Sequence, residues 1–215
     1  LYTDPAGHLV SGVDVSFDRP YGKHAHLLTD APQSMGSGEF LLWEFPLLYW
    51  LEKQGYDVSY CSNSDMLTPD RVKASKTFIS VGHDEYWDLR QYNSLKEGID
   101  TGINSLFLSG NSICFLSPFR DSSNGHMNRI ITRAGRYGGM TDIETEYMGP
   151  FPEEGPDESL LIGARTITPY SGADDWTVSK SEHWMFQGTG LKNGDYIPGL
   201  VGWEFHGNPA DIPGL

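Results

Sequence analysis

Cysteine is scarce in this chain, with only Cys61 and Cys114 among 215 residues. Two thiols are too few for a disulfide framework or a cysteine-based metal site, and both are expected to be free. Cations are scarce as well: 15 Lys and Arg stand against 29 Asp and Glu, a formal net charge of -14 at pH 7. Binding a phosphate backbone needs clustered cations that displace counterions, so nucleic acid is excluded as a partner. Long apolar runs are missing. The best of them, Phe40 to Leu51, is interrupted by Glu44 and Pro46 and falls short of the ~20 residues of a membrane span. A soluble chain without a membrane partner is expected. There is no Gly-x-Ser-x-Gly, no cysteine beside His83 and no glycine-rich phosphate loop, which disfavours acyl-enzyme chemistry and nucleotide binding.

Aromatic residues are abundant, with 6 Trp, 11 Tyr and 10 Phe, and 25 Gly with 13 Pro imply many turns and long ordered loops. The length suits one substantial domain with its own core. The chain opens on Leu1 and closes on Asp211-Ile212-Pro213-Gly214-Leu215, so it reads as part of a longer protein whose targeting signals, if any, lie outside it.

Alternation in Val13 to Asp18, stopped by Pro20, predicts a first strand. Apolar residues at helical spacing predict a helix over Glu39 to Gln54, with Pro46 marking a kink or a later start and Gly55 the stop. Strands are predicted over Tyr56 to Cys61, Lys76 to Val81 and Ser105 to Ser109, with a helix over Asp88 to Thr101 before the last of these. Strands alternating with helices predict an α/β fold, a doubly wound parallel sheet with flavodoxin-like order 2-1-3-4. That core is expected to occupy residues 1–120. Residues 121–215 are expected to form a β-rich extension packed on it, with β-like runs over Ile143 to Met148, Leu160 to Ile167 and Trp176 to Val178. Glu182 to Phe186 and Val201 to Phe205 are read as further strand segments.

In such a sheet the ligand crevice opens beyond the carboxyl ends of the strands. Those ends carry Arg19-Pro20-Tyr21, Gly82-His83-Asp84-Glu85 and Ser109-Gly110-Asn111. Glu85 offers a hard oxygen ligand, Tyr21 a phenol that becomes an anionic donor on a metal, and His83 an imidazole able to move a proton near neutral pH. Such oxygen-rich ligation suits ferric iron better than zinc. Whether His83 and Glu85 share a face depends on whether their segment is extended or turned. Trp43, Trp50, Tyr86, Trp87 and Trp184 are expected in the core.

Ser16-Phe17-Asp18-Arg19-Pro20-Tyr21, Glu44-Phe45-Pro46-Leu47 with Trp50-Leu51-Glu52, Gly55-Tyr56-Asp57-Val58, Gly82-His83-Asp84-Glu85-Tyr86-Trp87 and Gly110-Asn111 occur in order. With Glu182-His183-Trp184, Gly188-Thr189-Gly190 and Gly202-Trp203-Glu204, they resemble the C-terminal domain of the N,N-dimethylformamidase large (beta) subunit. The resemblance implies a fold similar to the class I glutamine amidotransferases and a hydrolase of linear amide C–N bonds. It implies a mononuclear ferric iron held by two tyrosines and one glutamate. Carried over motif by motif, Tyr21 and Glu85 are metal ligands. His83 and Asn111 orient water and substrate, and Glu204 is a further acid near the metal. The second tyrosine falls upstream of residue 1, with Tyr2 as the fallback, so the ligand set is expected to be incomplete in this chain. Implied partners are a small amide substrate, the rest of the longer chain, a small subunit and further copies of itself. The competing reading is a non-catalytic accessory or carbohydrate-binding domain, which aromatic richness and acidity fit equally well.

Overall fold

A computed structural model describes residues 5–6, 12–18, 40–139, 151–166, 174–201 and 206–207. In chain order the elements are β1 (Asp14–Ser16), α1 (Phe40–Trp43), α2 (Phe45–Lys53), a 3₁₀ turn (Asn63–Leu67), α3 (Asp70–Lys73), β2 (Thr77–Val81), β3 (Tyr86–Trp87), α4 (Leu89–Asp100) and β4 (Asn104–Leu108). There follow β5 (Phe115–Leu116), β6 (Phe119–Arg120), β7 (Ile130–Thr132), β8 (Gly135–Tyr137), β9 (Glu153–Gly155), α5 (Ser159–Ile162), β10 (Arg165–Thr166), β11 (Asp174–Thr177), a second 3₁₀ turn (Trp184–Phe186), β12 (Tyr196–Val201) and β13 (His206–Gly207).

The chain is mixed α/β, but among the described residues the doubly wound parallel sheet expected from the sequence is not formed. Several small sheets replace it. β2 pairs in parallel with β4 alone, and β3, β5, β8 and β9 form a four-stranded mixed sheet. β1 lies antiparallel to β7 in a three-stranded sheet with β6, so it does not neighbour β2, and the flavodoxin-like order fails with it. β10 pairs with β13 and β11 with β12, both antiparallel.

Tyr56 to Cys61 forms no strand. Only Val58 in it is even half-buried, so the segment has no buried face to hold it against a neighbour. Leu160 to Ile162 belongs to α5, which ends at Gly163 with φ 79°, and Trp184 to Phe186 forms a 3₁₀ turn where strand was expected. The runs at 143–148 and 202–205 lie outside the described residues.

What does follow the expected pattern is the unit β2, α4, β4. Thr77 pairs with Asn104 and Val81 with Leu108, in parallel, with α4 as the crossover. Tyr92 and Leu95 on α4 are buried with Met66, Val72, Trp87, Ile113, Leu116, Tyr137 and Leu161 in one core. Gly98 is needed where α4 meets α3, because a Cβ there would lie 2.6 Å from Val72 Cγ1. Pro46 sits in the first turn of α2, as a proline tolerated in a helix must.

Helix α4 starts at Asp88, whose Oδ1 accepts from the Arg90 backbone N–H at 2.7 Å. Its Oδ2 accepts from the Phe119 backbone N–H at 2.7 Å and pairs with the Arg90 guanidinium at 2.8 Å. One carboxylate therefore caps the helix and ties it to β6. Burial pushes the Asp88 carboxyl up, but the bonds from Arg90 and Phe119 outweigh that and hold it below the ordinary carboxylate range. A group with a depressed folded-state value stabilises above its unfolded value of about 4 and loses that contribution as pH falls through the folded one. Asp88→Ala is expected to lower stability at neutral pH by about 2–3 kcal/mol. Urea denaturation from pH 7 to 3 should also show a shallower acid decline in the variant than in the parent.

Candidate functional site

Two loops interrupt the parallel pairing at the same level. After β2 and β4 the chains leave the ladder, and they rejoin as β3 and β5, also in parallel. The first loop is residues 82–85 and the second 109–114. Backbone bonds stitch them together: Ile113 N–H donates to Asp84 O at 3.1 Å, and Phe115 N–H donates to Glu85 O at 2.8 Å. Val81 pairs with Leu108 and Tyr86 with Phe115, so the second loop accommodates two more residues than the first. There Asn111 and Ile113 have φ 52° and 55°. Bulges of this kind re-aim side chains.

Asn111 is re-aimed at Glu85. Its Nδ2 lies 3.4 Å from Glu85 Oε1, with Asn111 only 5% exposed and Glu85 half-buried. His83, two residues earlier, is exposed and rests on the Trp43 ring at 5.0 Å between centroids. The expected site residues His83, Glu85 and Asn111 thus share one pair of facing loops, and Glu85 and Asn111 touch. Tyr21 and Glu204 lie outside the described residues, as does the fallback Tyr2.

Asp84 is the anchor that sequence reasoning passed over. Its carboxyl accepts from Ser80 Oγ at 2.6 Å and Asn63 Nδ2 at 3.0 Å, joining the end of β2 to the first 3₁₀ turn. Burial pushes this carboxyl up, opposed by the bonds from Ser80 and Asn63. The only available signal was its place between two other ionisable residues.

Tyr86 also escaped notice as a neighbour of the site. Its ring stacks on Phe115 at 5.6 Å, and burial, then the charge of Glu85, push its phenol well above the usual range. It is 39% exposed, Trp43 47%, Trp50 49% and Trp184 79%, so of the five aromatic residues expected in the core only Trp87 is there.

As a metal centre the described residues are incomplete. Glu85 supplies a carboxylate suited to a hard cation. Yet among the described residues no group of three or more His, Cys, Asp and Glu side chains could hold a metal ion. Neither Cys61, which is exposed, nor Cys114, which is buried, is in a disulfide. No helix among the described residues is long and apolar enough to cross a membrane.

An acid and an amide thus face each other across a break in parallel strands, with an exposed imidazole two residues before the acid. The chain belongs to the N,N-dimethylformamidase beta subunit-like, C-terminal family, whose model matches residues 1–213. No curated protein matches it.

Gly82 makes the first loop possible. Its φ is 80°, and a Cβ there would lie 2.9 Å from Glu44 Oε1 and 3.1 Å from Trp43 Cβ. Gly82→Ala is expected to cost about 1–2 kcal/mol through the left-handed backbone alone. Because α1 must also retreat, the fluorescence of Trp43 should change in the folded variant; an unchanged emission spectrum and urea midpoint would contradict this account of the loop.

Proposed function

We propose that this chain carries the hydrolytic site of a dimethylformamidase-related enzyme acting on small linear amides. The observation that carries the reading is the pairing of Glu85 with Asn111 between two facing loops, in a chain of this family. The beta subunit-like description also supports assembly with a partner subunit.

In this reading Glu85 is the carboxylate ligand of a mononuclear iron, with Tyr21 as a phenolate ligand and a further tyrosine completing the set. Bound iron would supply Lewis-acid polarisation of the amide carbonyl and acidification of bound water. Asn111 keeps the Glu85 carboxylate oriented through its N–H, and His83, open to solvent beside Trp43, takes up and returns protons at its imidazole nitrogens. Glu204 is the further acid of the site.

The exposed rings of Trp43, Tyr49 and Trp50 favour a second reading, a carbohydrate-binding accessory domain that stacks sugars on aromatic faces. Metal content separates the two. In the full-length native protein, stoichiometric iron and a visible tyrosinate-to-iron absorption band are expected, with amine released from small amides. Glu85→Ala should remove the iron along with the activity. His83→Ala should keep most of the iron and lower turnover by about 10²–10⁴-fold. Wild-type iron and turnover in both variants would refute the assignment, and a metal-free native protein that retains sugars would support the second reading.

A further inference from the structure

We infer that the guanidinium of Arg133 is a receptor for a small carboxylate, the anion that hydrolysis of an amide leaves behind. The source of that anion rests on the amide-hydrolase reading above; its binding rests on the surroundings of Arg133 alone.

With 29 acidic residues against 15 Lys and Arg, an arginine in this chain seldom lacks a carboxylate. Arg71, Arg90, Arg120, Arg129, Arg136 and Arg165 each face one within ion-pair distance. Among the described residues Arg133 faces none, and its guanidinium donates no hydrogen bond. It is held by rings instead. Its central carbon lies 4.7 Å from the Phe115 ring centroid and 5.2 Å from that of Phe151, both within cation–π range.

The sheet explains the arrangement, because β8, which Arg133 precedes by two residues, runs between β5 and β9. Phe115 comes from β5, and Phe151 lies just ahead of β9. Beyond Phe115, on β3, Tyr86 stacks on it at 5.6 Å and directly follows Glu85. The charge of Arg133 reaches the Tyr86 phenol, where it opposes the upward push of burial and of Glu85. One stacked ring pair therefore separates the guanidinium from the candidate site.

Aromatic rings hold a guanidinium by its face and leave its N–H groups, which project from the edges, able to donate. Their planar fork matches a carboxylate, which accepts two parallel bonds from it. A single half-buried cation balances one negative charge, so a monocarboxylate fits better than a phosphate dianion. Hydrolysis of a small amide forms such an anion. Released beside Glu85, it is repelled by that carboxylate and drawn towards Arg133.

The test is protection of Arg133 from phenylglyoxal, an arginine-selective reagent, in the full-length protein as isolated, with each modified arginine followed by mass spectrometry. Two charge-assisted bonds imply a dissociation constant on the order of 1 mM, so ~10 mM sodium formate should slow modification of Arg133 about tenfold. Acetate should act alike. Sodium chloride at the same ionic strength should change the rate by less than about twofold, and ion-paired Arg90 should ignore formate. No protection by formate or acetate, or equal protection by chloride, would overturn the inference and leave the amide-hydrolase reading standing. An Arg133 that resists the reagent while Arg90 reacts would overturn it too, by showing the guanidinium closed to ligands. Protection in a protein that releases no amine from any small amide would support the receptor and sink the hydrolase reading.

Discussion

The backbone bonds from Ile113 to Asp84 and from Phe115 to Glu85 are the constraint on which the candidate site depends. Without them the loops after β2 and β4 would be two independent turns, and nothing would bring Glu85 and Asn111, 26 residues apart, into contact. Each loop is secured from below as well. Asp84 is bound to Ser80 and Asn63, and Ile113 is buried in the core beside Trp87 and Leu116. The polar groups sit on a floor of packed side chains, which limits how far either can drift.

Legibility in the sequence followed the strength of local signals. Helix α4 and its flanking strands were readable within a residue or two, because Tyr92 and Leu95 recur at helical spacing, Asp88 is a strong cap and the strands are compact apolar runs. Pro46 announced the start of α2 for a similarly local reason. Strand partnership was not readable. Strands of two to five residues carry too little pattern to choose a neighbour, so β1 was assigned to a parallel sheet when its pairing is with β7, more than a hundred residues later. The contact is a backbone ladder flanked by exposed ion pairs, Asp14 with Arg120 of β6 and Asp18 with Arg129, which no periodicity encodes.

The aromatic residues show the same limit. Hydrophobicity put Trp43, Trp50, Tyr86 and Trp184 inside, yet burial depends on what packs against a face. Helix α2 has no buried residue among those described, while Trp87 is fully enclosed because β5 and α4 close over it. The juxtaposition of the two polar loops was legible because it needed only the parallel β2–β4 pair, a local crossover that the wrong global sheet happened to contain.

That is also why the candidate site tolerates an error in the fold. In any parallel pair joined by a helix the two carboxyl ends lie side by side, so residues just past them meet whatever the remaining strands do. What the parallel pair alone does not determine is which of three consecutive ionisable residues faces outward. Gly82, at φ 80°, and the inward bonds of the Asp84 carboxyl set that choice. Asp84 is held inside, His83 lies exposed on Trp43 and Glu85 is left half-buried within reach of Asn111. The different exposure of these three neighbours is therefore imposed by one glycine's backbone and one buried carboxyl.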